Sequence, residues 1–307
     1  MTFRSIGINL TGDYLSGEQE LARSLEVLEA AGPDFVEVCP HNLGVILGGR
    51  LVQERMEAVA KVLEKAELGY TVHAPHGMNL MDLSSREVHR GALESSVRFA
   101  AEIGARIVVC HAGQRSNARD ARYSLKDQLD AQRSALWRVG EVAARLGGMI
   151  AVENSYPEPP VLQGRNYAPA ARPSELAGQV AATDHPSVGV CLDVGHAHVA
   201  ASAFGFDYLK ECAAAAPLVR HVHLHDNLGL PDPDGETRIG ERHAYGIGDL
   251  HLPPGQGSIP LKDLFRTADF ARDITCCVEL SPGLRHSAGE ALKAARRLEA
   301  SVGAPAR

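Results

Sequence analysis

The sequence predicts an α/β fold, a single (β/α)8 barrel spanning residues 1–307 as one domain. Two observations predict it. Short apolar runs rich in β-branched residues alternate eight times with longer segments of helical period. Those runs are near-continuously apolar, as strands covered on both sides are, which points to a parallel sheet under helices. Eight such units is the number that closes a barrel, and the glycine fingerprint of a doubly wound open sheet is missing.

The strand-like runs fall at residues 5–10, 35–39, 70–74, 106–111, 149–153, 188–193, 219–225 and 274–279. The helical segments between them fall at 17–31, 51–68, 84–103, 124–146, 173–182, 207–216, 260–268 and 288–301. Ser84 and Ser85, with Glu87 following, form a capping signal at the third helix. Pro173 with Ser174 and Glu175 marks another helix start. The longest irregular stretch, about 227–258, is rich in Gly, Pro and Asp and follows the seventh strand. It reads as a functional loop on the face where such barrels carry their chemistry.

Composition narrows the function classes. Hydrophobic residues make up 45% and charged residues 22%, which gives a chain of 307 residues an adequate core without a structural metal. A metal here would therefore serve chemistry. The net charge is −7, and the 31 Lys and Arg are scattered with no basic stripe, which argues against a nucleic-acid partner. Three bound dications would bring that charge to about −1. The six cysteines, Cys39, Cys110, Cys191, Cys212, Cys276 and Cys277, include no CxxC pair and sit mostly in strand-like runs. Buried, reduced thiols are expected. The N-terminal stretch carries no apolar signal core and no run is long enough for a membrane helix, so a cytoplasmic protein without a membrane partner is expected.

The strand ends are unusually polar. The third ends in His73, the fourth in His111, the fifth in Glu153 and the sixth in Asp193, with His196 in the turn after it. The seventh carries His221, His223 and His225 on one face by its period of two, and the eighth ends in Glu279. Asp249 and His251 stand in the long loop. A closed barrel gathers its strand ends at one rim. Histidines and carboxylates crowded there are costly unless a cation joins them, and imidazole with carboxylate suits Zn²⁺, Mn²⁺ or Fe²⁺.

Seven motifs carry a resemblance. They are Val72-His-Ala-Pro-His-Gly-Met-Asn-Leu80, Cys110-His-Ala-Gly113, Val152-Glu-Asn154, Cys191-Leu-Asp-Val-Gly-His196, Val222-His-Leu-His-Asp-Asn227, Asp249-Leu-His-Leu-Pro-Pro-Gly-Gln-Gly-Ser-Ile259 and Val278-Glu-Leu280. In this order, each at a strand end or in the long loop, they resemble the superfamily of xylose-isomerase-like TIM barrels. That group includes endonuclease IV (AP endonuclease family 2) and the sugar phosphate isomerases and epimerases. Similarity to endonuclease IV implies a trinuclear site held by His73, His111, Glu153, Asp193, His196, His223, Asp249, His251 and Glu279. Similarity to the one-metal isomerases implies a subset, Glu153, Asp193, His223 and Glu279, in which Glu153 and Glu279 act as acid and base. There are departures. Endonuclease IV has a tyrosine where this chain has His76, and its DNA-penetrating loop has no counterpart in residues 40–50. The region from His223 to Asn227, with residues 251–257, looks closer to the isomerase and epimerase group.

Two reactions follow. One is hydrolysis of a small phosphoester at a site of one to three divalent ions, zinc first, with Mn, Fe, Co or Mg as alternatives. It is favoured because His73, His111, His196, Asp249 and His251 exceed what a one-metal site requires. The other is isomerisation or epimerisation of a small sugar or sugar phosphate by proton transfer between Glu153 and Glu279. The expected partner is a phosphorylated or sugar-like small molecule, not DNA. Candidate substrate contacts are His76, Asn79, Gln114, Arg115, His225 and Asn227.

Overall fold

The computed structural model describes residues 3–12, 14, 15, 17–235 and 238–303. The sequence expectations that touch residues 1 and 2, and residues 236 and 237 of the long loop, lie partly outside these. Eight parallel strands form a closed barrel: β1 Ser5–Asn9, β2 Phe35–Val38, β3 Gly69–His73, β4 Ile107–His111, β5 Met149–Glu153, β6 Val188–Asp193, β7 Val219–Leu224 and β8 Thr275–Val278. β8 closes the ring on β1, with Ser5 opposite Thr275 and Ile8 opposite Val278.

The covering helices are α1 Glu18–Ala30, α2 Gln53–Leu63, α3 Arg86–Glu102, α4 Leu125–Arg145, α5 Pro173–Thr183, α6 Val194–Phe204, α7 Tyr208–Ala215, α8 Leu261–Thr267 and α9 Ala288–Gly303. Each sequence-expected helix has a counterpart, with α2 shorter at both ends than residues 51–68. Burial follows the helical period: on α1 the buried residues are Leu21, Leu25 and Leu28. Truncating any of the three to alanine would cost about 2–5 kcal/mol.

The strands have two unlike faces. Ile8, Val36, Val72, Val108, Ile150, Val190, Val222 and Val278 join the large apolar core under the helices. The alternate residues form the lumen, where Val109, Ala151 and Cys191 make a small apolar layer. Most of the remaining lumen is polar and buried: Glu37, Thr71, His221 and Thr275 lie below, and His73, Glu153, Asp193 and His223 lie above. At Gly7 a side chain would strike the Phe35 ring at 2.4 Å, so glycine there lets Phe35 pack across the lumen toward His221, 6.1 Å between ring centroids.

The structure corrects four local expectations. First, α6 was not expected. It is apolar nearly all round, with Val194, Gly195, His196, Ala197, Val199, Ala200 and Ala201 buried, so no amphipathic period betrays it. His196 is therefore a first-turn helical residue and not part of a turn. Second, Ser85 makes no side-chain cap to α3. Asp82 Oδ1 instead accepts from the Ser84 and Ser85 amides. Third, the long loop contains a helix, Ile239–Tyr245, and is stitched by bridges of Asp226 with Leu252 and of Leu230 with Ile247. Fourth, two small antiparallel ribbons cross the loops: Ile46–Leu47 with Arg50–Leu51, and Arg115–Ser116 with Asn166–Tyr167. Among the described residues, no helix is long and apolar enough to cross a membrane.

Candidate metal centre

At the C-terminal ends of the strands a cavity of about 770 Å³ opens over the polar lumen. His73, His111, Glu153 and Asp193 are the last residues of β3, β4, β5 and β6, His223 lies in β7, and Glu279 follows β8 directly. Asp193 also caps α6, its Oδ1 accepting from the His196 amide at 2.6 Å, so one residue sets both its own carboxylate and the helix that carries His196. Asp249 and His251 reach the rim because Asp226 and Leu252 exchange backbone hydrogen bonds of 2.8 and 2.9 Å. His251 is held at φ +47°, a left-handed conformation that is costly for a non-glycine residue and characteristic of functional sites.

The nine residues converge in three groups. In the first, His223 Nδ1 lies 3.0 Å from Glu153 Oε1, 3.5 Å from Glu279 Oε2 and 3.8 Å from Asp193 Oδ2. In the second, His73 Nε2 and His111 Nε2 each lie 3.1 Å from Glu153 Oε2. In the third, Asp249 Oδ2 lies 2.7 Å from His251 Nε2 and 3.2 Å from His196 Nε2. Glu153 thus gives one oxygen to each of two groups. His225 is a tenth neighbour, with Nε2 3.1 Å from both Asp193 oxygens and 3.7 Å from Asp249 Oδ1.

Acceptors outnumber donors here. His73 presents Nδ1 to Ala74 O at 2.7 Å and Nε2 to Glu153. His196 presents Nδ1 to Asn154 O at 3.0 Å and Nε2 to Asp249. His223 Nδ1 pairs with Glu153, while Nε2 is buried 3.1 Å from a Glu37 oxygen without the geometry of a hydrogen bond. A neutral imidazole has one proton and cannot serve two acceptors. Either each ring is an imidazolium or a cation stands between ring and carboxylate. Burial opposes charge on these three rings, yet the surrounding carboxylates, with Cys191 ahead of them for His223, hold all three above the ordinary imidazole value. Desolvation likewise opposes charge on His251, but Asp249, then Glu279 and Asp193, push it up to about 9. Glu153 and Asp249 are held well below the carboxylate range: burial raises both, and His223 and His111, or His251 and His196, outweigh it. Asp249 Oδ1 is buried with no hydrogen-bond partner. Carboxylate oxygens and single imidazole nitrogens, gathered with an orphaned oxygen, fit divalent ions.

Three supporting residues carry no role in the sequence reading, although Asn154 and Gly195 stand in its motifs. Glu37 is 2% exposed in the middle of the apolar β2, and accepts from Thr71 Oγ1 at 3.0 Å while facing His223. Its signal was a charge inside a strand-like run. Asn154 locks Asp193 reciprocally, accepting its amide at 2.8 Å and donating to its carbonyl at 2.9 Å. Gly195 leaves room for the His225 ring, which a Cβ would meet at 2.0 Å.

Of the candidate substrate contacts, His76, Asn79 and Gln114 line the cavity. Arg115, His225 and Asn227 are not among its lining residues. Arg115 donates to Tyr123 O and Gln128 Oε1. His225 is fully buried behind the ligands, stacked on His251 with ring centroids 4.1 Å apart. Asn227 clips the loop to α6, donating to Gly195 O and accepting from the Gly229 amide. All three were placed by sequence nearness to a strand end, which does not fix the direction of a side chain. Asp82, Arg119, Tyr156 and Glu158 line the wall instead.

A family model described as a xylose isomerase-like TIM barrel matches residues 25–300. A probable endonuclease 4 of Mycobacterium tuberculosis is 27% identical over 247 residues, covering 80% of this chain and 85% of that protein. An uncharacterized protein of Methanocaldococcus jannaschii is 25% identical over 194 residues, and the match spans 62% of each chain. Among solved structures, a D-tagatose 3-epimerase-like protein superposes with a TM-score of 0.69 at 19% identity, covering 97% of this chain and 98% of the other.

Proposed function

The chain belongs to the xylose isomerase-like TIM barrel family, and we propose that it is a multinuclear metal-dependent hydrolase of a small phosphoester. The observation that carries this reading is the doubled acceptor environment of His73 and His196, with His223 buried between Glu153 and Glu37, spread over three groups that a single ion cannot satisfy together. Glu153, Asp193, His223 and Glu279 would hold one ion, His73, His111 and Glu153 a second, and His196, Asp249 and His251 a third, with zinc as the first candidate. Bound there, dications supply Lewis acidity and an activated water at neutral pH.

The chain's own residues do the rest. Glu153 ties two groups together through its two oxygens. Glu37 lies 3.1 Å from His223 Nε2, placed to orient the ring so that Nδ1 faces the other carboxylates. Arg119 lines the cavity wall but sits 3.3 Å from Asp120 and 3.8 Å from Asp82, and Arg242 of the adjoining pocket sits 3.0 Å from Asp232. A substrate anion would therefore be met by the centre itself, where four carboxylates against three dications leave about +2. The likeness to an endonuclease 4 supports the hydrolytic chemistry. The absence of a basic stripe favours a small substrate over DNA.

A second reading has one specific observation behind it. Glu153 and Glu279 both face His223 Nδ1, at 3.0 and 3.5 Å, as an acid–base pair around one ion would in an epimerase. The test is the metal-reconstituted protein assayed against small phosphomonoesters and phosphodiesters and, in parallel, for C3 epimerisation of ketohexoses. Hydrolysis lost by at least about 10²-fold in Asp249→Ala and His251→Ala supports the proposal. Epimerisation that both variants retain overturns it.

A further inference from the structure

Next to the three groups lies a fourth cluster of a different kind. Cys39 follows the end of β2, His41 stands two residues on in the turn closed by the Asn42 amide on Cys39 O, and His76 lies in the loop after β3. One donor atom from each lies within 4.8 Å of the other two. The His41 and His76 rings meet edge to face at 5.1 Å between centroids, and His76 stacks over His111 at 5.5 Å. Cys39 and His76 line the cavity. Cys39 is also the one free cysteine that is not fully buried. Another cluster containing a cysteine, Cys277 with Glu37 and His221, is wholly buried. Its histidine nitrogens already face Thr275 and Glu37.

We propose that Cys39, His41 and His76 bind a further zinc ion at the lip of the cavity, with one coordination position open toward it. Zinc bonds of about 2.0–2.3 Å in a tetrahedron place donors roughly 3.3–3.8 Å apart. The three atoms need to close by no more than about 1–1.5 Å, within reach of side-chain rotation at half-exposed positions. Thiolate sulfur and imidazole nitrogen are both zinc donors, and three protein ligands with an open fourth position is the arrangement of zinc's reactive sites. It is softer than the nitrogen–oxygen sets deeper in the mouth, so it selects a thiophilic ion. On binding, the Cys39 thiol gives its proton to solvent as the sulfur–metal bond forms. The ion ties the loop after β2 to the loop after β3, and its open position can accept an oxygen of a ligand in the cavity.

Cobalt reports on this directly, because a thiolate–Co²⁺ pair absorbs in the near ultraviolet and the nitrogen–oxygen groups do not. The full chain loaded with Co²⁺ should show that charge-transfer band. Cys39→Ser should lack it and bind one ion fewer, while Asp249→Ala should keep it. That last variant separates this site from the proposed hydrolytic centre, so failure of one is distinguishable from failure of the other. In the unsubstituted protein, saturating zinc should slow iodoacetamide alkylation of Cys39 at least about tenfold. No band in the wild type, a band that survives Cys39→Ser, or an alkylation rate indifferent to zinc overturns the proposal.

Discussion

The two sides of the cavity are built from similar residue types and behave differently. On the wall formed by the loops after β3, β4 and β5, polar groups satisfy one another. Asn79 donates to Gln114 O, Gln114 donates to Glu158, Asn166 donates to Gln114 Oε1, and Arg119 is taken by Asp82 and Asp120. At the strand ends nothing balances in this way. His73 and His196 each meet acceptors on both nitrogens, and His223 Nε2 and Asp249 Oδ1 are buried with no hydrogen-bond partner. The wall is largely paired, with the Tyr156 hydroxyl as an exception, whereas the ligand nitrogens and carboxylates at the strand ends are not matched one to one. Buried polar groups are almost always paired, so the unmatched side is where ions belong.

That contrast can be broken in order of expected effect. Glu153→Ala removes the oxygens shared by two groups and should lower activity at least about 10³-fold, with two ions lost per chain by elemental analysis. Glu37→Gln keeps the shape of β2 but weakens the hold on His223, and should reduce metal affinity about 10–100-fold in a chelator competition. Arg119→Ala, on the paired side, should change kcat/KM within about fivefold, because an ion pair at the exposed rim contributes little.

Proton linkage sharpens the same contrast. In the metal-free protein His251 is raised from 6.5 to about 9 by Asp249. The pair's contribution to stability is complete below about 6.5 and is lost as pH rises through about 9. The Tm of chelated protein should therefore fall across that window. Metal affinity should climb across it, since the ion no longer displaces a proton. A flat Tm profile would mean that His251 is neutral without the ion.

Much of this was legible in the residues. The eight strands showed as apolar runs because each is covered on its outer face, and Glu153 and Asp193 showed because a charge at a strand end stands out against such a run. α6 did not, since a buried helix has no polar face to set a period. Glu37 is not legible in this way, since a single charge in the short run Phe35–Val38 does not reveal that the lumen carries polar groups two layers deep. Adjacency to a strand end points to Arg115, His225 and Asn227, but whether a residue beyond a strand turns inward depends on the ribbon Arg115–Ser116 with Asn166–Tyr167 and on the Asp226–Leu252 bridge. Those are contacts between segments remote in sequence.

The most direct test of the multinuclear claim is metal content in Cys39→Ser, where the lip site is removed and only the strand-end groups remain. Protein purified without chelator and measured by plasma mass spectrometry should hold close to three zinc or mixed divalent ions per chain. One ion per chain, unchanged in Asp249→Ala, would contradict the account and leave the single-ion epimerase in its place.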